Sequence, residues 1–259
     1  MSDALLEVVE LRKMFGALAV TDGISLTVRR GETHALIGPN GAGKTSLVGQ
    51  LSGEIASDAG TIRFAGRDIT SMSIADRARL GLSRSFQVTS IFSSFTAESN
   101  VALAVQATEP HSFRFWRRAE TMARFRDPAR HLLQEVGLAG LGHRIAARMS
   151  HGQHRQIELA MALATKPAML LLDEPMAGLG SEESRAMSAQ LARAKGHYTM
   201  LLIEHDMDVV FSLADRISVL VAGRIIASGT ANEIRNHDAV RAAYLGDDDE
   251  GDLDVDPRC

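Results

Sequence analysis

From residue 38 the chain reads Gly38-Pro39-Asn40-Gly41-Ala42-Gly43-Lys44-Thr45. Glycines at this spacing let the backbone curl until several N–H groups converge on one anion. A helix starting at Lys44 turns its positive end toward the same point. The lysine brings a cation to the outer phosphates of a nucleoside triphosphate, and the Thr45 hydroxyl can ligate Mg²⁺ beside them. Ser46 follows in the same first turn. A second group stands far along the chain, where the apolar run Met169-Leu-Leu-Leu ends in Asp173-Glu174. A buried strand there delivers Asp173 to a sheet edge, where it can hold the Mg²⁺ shell, and Glu174 can orient and deprotonate a water. An apolar run ending in Asp-Glu is weak alone and strong when paired with the loop at 38–45. A third group, Ser150-His151-Gly152-Gln153, places a cap serine before an open helix end, which also suits an anion.

These residues need a scaffold of strands feeding loops. Leu5–Leu11, Ile24–Val28 and the alternating run from Thr61 read as strands, as does Thr33–Ile37 leading into the glycine loop. The middle reads as helical. Asp127-Pro128 predicts an N-cap with proline at the first helical position, Gly137 a stop, and Ser150 the cap of a helix ending before Pro167. Ala168–Leu172 and Thr199–Ile203 are strand-length apolar runs flanking a helix over Ser181–Lys195. Strands alternating with helices imply a parallel sheet with crossovers. Ile217–Val221 and Arg224–Ala227 predict a hairpin, and Thr230-Ala-Asn-Glu233 a capping box.

The loop at 38–45, the Ser150 segment and Leu170-Leu-Leu-Asp-Glu-Pro175 together resemble the ATP-binding subunit of an ABC transporter over residues 5–245. The resemblance implies an α/β fold: a P-loop NTPase core with a parallel sheet, an N-terminal antiparallel β subdomain and an inserted α-helical subdomain. It places one ATPase domain over residues 1–246, with the helical insertion at roughly 88–165. ATP and Mg²⁺ are the implied ligands. Ser150, Gly152 and Gln153 would face the γ-phosphate held by a partner subunit. Phe15 would stack on adenine, Gln87 would touch Mg²⁺ or the attacking water, and His205 would contact the γ-phosphate and link it to Glu174. The family's usual signature is Leu-Ser-Gly-Gly-Gln; this chain has Met149 and His151 at two of those positions. Gly180 stands where an aspartate is usual, which puts the usual coupling between subunits in doubt.

Finer phrases narrow the resemblance. Gly81-Leu-Ser-Arg-Ser-Phe-Gln87, Glu204-His-Asp-Met-Asp-Val-Val210 and Val240-Arg-Ala-Ala-Tyr-Leu-Gly246 are similar to branched-chain amino acid uptake ATPases. The implied partners are transmembrane permease subunits, a second ATPase subunit and, indirectly, a periplasmic binding protein. The departures at His151 and Gly180 favour a heterodimer, since a partner can then supply a regular signature. Uptake of urea or another small solute, lipopolysaccharide export, and a non-transport ABC ATPase acting on nucleic acid or the ribosome are the alternatives.

Composition is that of an ordinary globular chain. Apolar residues are 45% and charged residues 23% of 259, which excludes a disordered, collagen-like or coiled-coil chain. No window approaches a membrane span, and the acidic start does not resemble a secretory signal. The single cysteine, Cys259, excludes an internal disulfide framework and a cysteine zinc site. These features predict a soluble, cytosolic protein, which the resemblance to a transporter subunit would place at the cytoplasmic face of the inner (plasma) membrane, and the net charge of −4 argues against nucleic acid as a partner. The acids cluster in 247–259, which reads as a disordered tail. Arg114, Arg117, Arg118, Arg124, Arg126 and Arg130 surround Phe113, Phe115 and Trp116, a stretch suited to a solvated loop or to an anionic lipid surface.

Overall fold

The computed structural model describes residues 3–84, 91–108 and 120–245. Two sheets carry the chain. In the first, β1 (Ala4–Phe15) pairs antiparallel with β2 (Leu18–Arg29) and with β4 (Ala59–Phe64), and β4 pairs with the short β5 (Arg67–Asp68). Both β1 and β2 outrun their apolar segments. The extension is polar, because backbone pairing carries the hairpin beyond the core while Arg12 pairs with Asp22 and Lys13 with Asp58.

The second sheet runs β10-β9-β3-β8-β7-β6, from β3 (Thr33–Ile37), β6 (Leu82–Arg84), β7 (Met169–Asp173), β8 (Thr199–Ile203), β9 (Arg216–Val221) and β10 (Arg224–Gly229). It is parallel from β9 to β6, and β10 turns back antiparallel. Every residue of β3, β7 and β8 is buried, as a parallel sheet covered on both faces requires. Alternate side chains serve opposite layers. Leu170, Leu172, Met200 and Leu202 join one core, beneath α3 (Ala97–Ala107), α4 (Glu120–Glu135), α5 (His151–Ala164) and α6 (Ser181–Ala194). Met169, Leu171, Leu201 and Ile203 join the other, with α1 (Lys44–Ser52) and the antiparallel sheet. The remaining helices are α2 (Ile74–Arg79), α7 (Met207–Leu213), α8 (Ala231–Arg235) and α9 (Asp238–Leu245).

Most expected elements stand within a residue or two. The expected cap at Asp127-Pro128 is corrected: α4 begins at Glu120 and carries Pro128 in its interior. Phe125, Ala129 and Leu133, at i, i+4 and i+8, are all buried on one face. That packing outweighs the hydrogen bond proline removes and the local capping signal. The stop at Gly137 holds, with φ of 81°. Of the arginine stretch, Arg130 and Arg126 pair with Glu98 on α3, and Arg124 lies over the Phe125 ring. Arg114, Arg117 and Arg118, and the acidic tail, lie outside the described residues.

Candidate functional site

The register of three strands sets the site. Asp173 is opposite Ile203, and Ile203 is opposite Leu36, so β3, β7 and β8 release their following loops along one sheet edge. From β3 comes the glycine loop. A Cβ at Gly38 would lie 2.0 Å from the Leu220 carbonyl oxygen, and one at Gly43 would lie 2.1 Å from that of Val20. Both positions have positive φ, so only glycine lets the loop press against β9 and β2. Gly223 binds the arrangement together, donating to the Ala42 carbonyl at 2.9 Å while its own carbonyl accepts from Asp22 N–H at 2.8 Å. Asn40 and Gly41 are exposed at the tip, and Pro39 beside them is half-buried.

Lys44 opens α1 and is buried; its Nζ donates to the Gly38 and Pro39 carbonyls at 2.6 and 2.9 Å. Burial pushes its ammonium down, and the Glu174 and Asp173 carboxylates oppose that. Thr45 is exposed at the next position, with Ser46 half-buried behind it.

Asp173 is 2% exposed. Its Oδ2 accepts from Arg84 Nη2 at 3.0 Å, whereas Oδ1 is buried with no partner among the described residues. Burial raises this carboxyl and Arg84 pulls it back. An orphaned anionic oxygen beside Lys44 fits a hard cation, and Thr45 offers a second oxygen. Glu174 follows with φ of 48°, a left-handed conformation uncommon for a side chain of this kind and met at functional sites. Its N–H donates to the Ile203 carbonyl at 3.0 Å, which pins it between β7 and β8.

His205 follows β8, and its ring is 68% exposed. Phe15 ends β1 at the hairpin tip, 52% exposed, with Lys13 Nζ 5.5 Å from the ring centroid. The ring is available to a flat partner and is not a core side chain. Ser150 caps α5, accepting from Gln153 N–H, while the Gln153 side chain reaches back to the Ser150 N–H. Gly152 is buried and Gln153 half-buried. The structure thus gathers residues 38–46, Asp173, Glu174 and His205 at one edge. Phe15 belongs to the hairpin that abuts it, and Ser150, Gly152 and Gln153 form a separate helix start. Gln87 lies outside the described residues.

Two groups escaped sequence reasoning. Arg84, at the end of β6, is held between Asp173 and Glu54. Glu204 is 1% exposed; its Oε1 accepts from Met176 N–H at 2.9 Å and its Oε2 from His205 N–H at 3.2 Å. It therefore ties the loop after β7 to the loop after β8. Burial raises the Glu204 carboxyl, against the pull of those two N–H groups. An acid directly after an apolar strand was the available signal.

The model for the ABC transporter family matches residues 21–177. The chain belongs to the ABC transporter ATP-binding family. A second model, for the branched-chain amino acid ATP-binding cassette transporter, matches residues 224–250 of this cassette. It is 37% identical to the high-affinity branched-chain amino acid transport ATP-binding protein BraF of Pseudomonas aeruginosa, over 95% of this cassette and 100% of that protein. Against LivG of Salmonella typhimurium, which bears the same description, the figures are again 37%, 95% and 100%. Among solved structures, an ABC transporter cassette in its ADP conformation superposes with a TM-score of 0.82 at 28% identity, covering 95% of this cassette and 100% of that one. A nucleotide-free cassette gives 0.81 at 29% identity, covering 93% and 98%. The expected fold, with its antiparallel N-terminal sheet, parallel core and helices, is that of these cassettes.

Proposed function

We propose that this cassette binds and hydrolyses ATP to drive an importer of branched-chain amino acids. The observation that carries the reading is the meeting of the glycine loop, Lys44, Asp173 with an Oδ1 that has no partner among the described residues, and Glu174 at one sheet edge.

Backbone N–H groups of residues 38–44 cradle the phosphates, Lys44 exchanges its carbonyl partners for the β- and γ-phosphates, and Phe15 stacks on adenine. Thr45 and Asp173 would hold Mg²⁺, with Gln87 beside it; when bound, the ion neutralises charge on the phosphate oxygens. Glu174, pinned by its N–H bond, takes the proton of the attacking water, and His205 contacts the γ-phosphate. ATP closes two such subunits and hydrolysis reopens them, so the work comes from differential affinity for ATP and ADP. Ser150, Gly152 and Gln153 face the nucleotide of the partner subunit, and the departures at His151 and Gly180 favour a different ATPase as that partner.

The substrate assignment rests on the last third of the chain. Identity to a methionine import ATP-binding protein, MetN of Rhizobium etli, is 38% over 88% of this cassette but only 62% of that protein, so percentage identity over the common cassette does not by itself assign cargo. The match over residues 224–250 does. The cassette sits on permease subunits at the cytoplasmic face of the membrane and meets the periplasmic binding protein only through them. Among the described residues no helix is long and apolar enough to cross a membrane. Phe92 and Phe95 are 54% and 43% exposed, with ring centroids 5.3 Å apart, and give the permease an apolar handle. Reconstitution with the neighbouring permease and binding-protein genes tests the reading: ATP-dependent uptake of labelled leucine, isoleucine or valine supports it, and uptake of urea with none of these refutes the cargo.

A further inference from the structure

The start of α5 is already occupied by an anion from the same chain. Glu183, in the first turn of α6, accepts the Ser150 hydroxyl on Oε1 at 2.8 Å. It also accepts from the Gly180 N–H on Oε2 at 3.5 Å. A Cβ at Gly152 would lie 2.6 Å from the Glu183 carboxyl carbon, so the carboxylate rests directly on the backbone of this turn. His151 lies against the neighbouring loop, with its Nε2 3.4 Å from a Cβ built at Gly178.

Two facts make this occupancy exclusive. A serine hydroxyl has one proton to donate. That of Ser150 goes to Glu183, while its oxygen accepts from Gln153 N–H. A second anion on the same donors would also meet Glu183 at contact distance, and like charges so placed repel. We propose that Glu183 holds the phosphate seat of the Ser150–Gly152 turn in the separate subunit, and that the terminal phosphate of a partner subunit's nucleotide must displace it. This rests on the reading of Ser150 and Gly152 as the half-site facing that nucleotide. Glu183 is then a positioning residue that makes closure selective. ATP carries a terminal phosphate able to take over the Ser150 hydroxyl from the carboxylate, and ADP does not. Leaving the seat, Glu183 also releases Gly180, so the exchange reaches the loop at 177–180. Hydrogen bonds from Ser150 hold the Glu183 carboxyl below the usual carboxylate range, against desolvation, with Gly180, Gly152 and His151 adding to the effect; it is an anion at neutral pH.

The test removes the charge and keeps the shape. In a Glu174→Gln background, where ATP persists, Glu183→Gln retains an acceptor for Ser150 but loses the charge-assisted bond and the repulsion. The ATP concentration that half-drives association, followed by light scattering, should fall about fivefold, with no association in ADP. Glu182→Gln removes the same charge from the same helix turn and should leave the midpoint unchanged. An unchanged or raised midpoint in Glu183→Gln, while Ser150→Ala weakens association, overturns the inference alone. If Ser150→Ala also has no effect, the half-site reading itself fails and takes the inference with it. Should the chain not self-associate, amide resonances decide: inorganic phosphate should move the Gly152 N–H signal at about fivefold lower concentration in Glu183→Gln than in wild type, and equal titrations refute displacement.

Discussion

Replacing Arg84 with methionine should expose how far Asp173 depends on one cation. Arg84 Nη2 lies 3.0 Å from Asp173 Oδ2, and the side chains are 9% and 1% exposed. The other arm reaches Glu54 Oε2 at 2.5 Å, but Glu54 is 39% exposed, and such surface pairs contribute about 0–1 kcal/mol. The loss therefore falls on Asp173. Removing one member of a buried pair strands the other charge and costs about 3–5 kcal/mol, or about 6–20 °C in a domain of this size. Burial already raises the Asp173 carboxyl while Arg84 opposes it; without Arg84 it rises further. A carboxyl whose folded pKa exceeds its unfolded value contributes stability below the unfolded pKa and loses it as pH rises through the folded one. The deficit of Arg84→Met relative to wild type should thus be largest near neutral pH and shrink in acid as Asp173 takes a proton. Urea and thermal unfolding at several pH values measure it. The double variant Arg84→Met/Asp173→Asn should recover most of the loss. A deficit below about 1 kcal/mol, or one independent of pH, refutes the claim that Arg84 neutralises Asp173.

Phe15→Ala should weaken ATP binding by about 1–3 kcal/mol and shift stability by no more than about 0.5 kcal/mol, because the ring is half exposed; unchanged nucleotide affinity by fluorescence removes Phe15 from the site. Gly38→Ala should abolish nucleotide binding and destabilise the fold, since its Cβ would strike the Leu220 carbonyl at 2.0 Å. Gly41→Ala meets nothing within 4 Å and should cost only the left-handed strain of about 1–2 kcal/mol; equal losses in the two variants refute the packing argument.

Legibility in the sequence followed locality. The glycine loop, the strand ending at Asp173 and the cap at Ser150 are contiguous signals, and β8 spans the residues its apolar run implied. Arg84 was hidden because its partner Asp173 is 89 positions away, and no local pattern couples an arginine to a distant acid. Glu204 reads locally as the polar end of a strand; only the register of β7 beside β8 shows that it clamps two loops. Pro128 misled because a good local start signal sat inside a longer helix stabilised by tertiary packing of Phe125, Ala129 and Leu133. The lengths of β1 and β2 were missed for a similar reason, since cross-strand pairing and ion pairs extend them where side-chain apolarity stops.

The central claim, that Glu174 at the end of β7 is the base of an ATP-hydrolysing site, is tested by measuring ATP binding and single-turnover hydrolysis of Glu174→Gln beside wild type. Binding should be retained, because Lys44 and the loop at 38–45 are untouched. Hydrolysis should fall by about 10²–10⁴-fold, the usual worth of a positioned general base. Hydrolysis at the wild-type rate with normal binding would contradict the account.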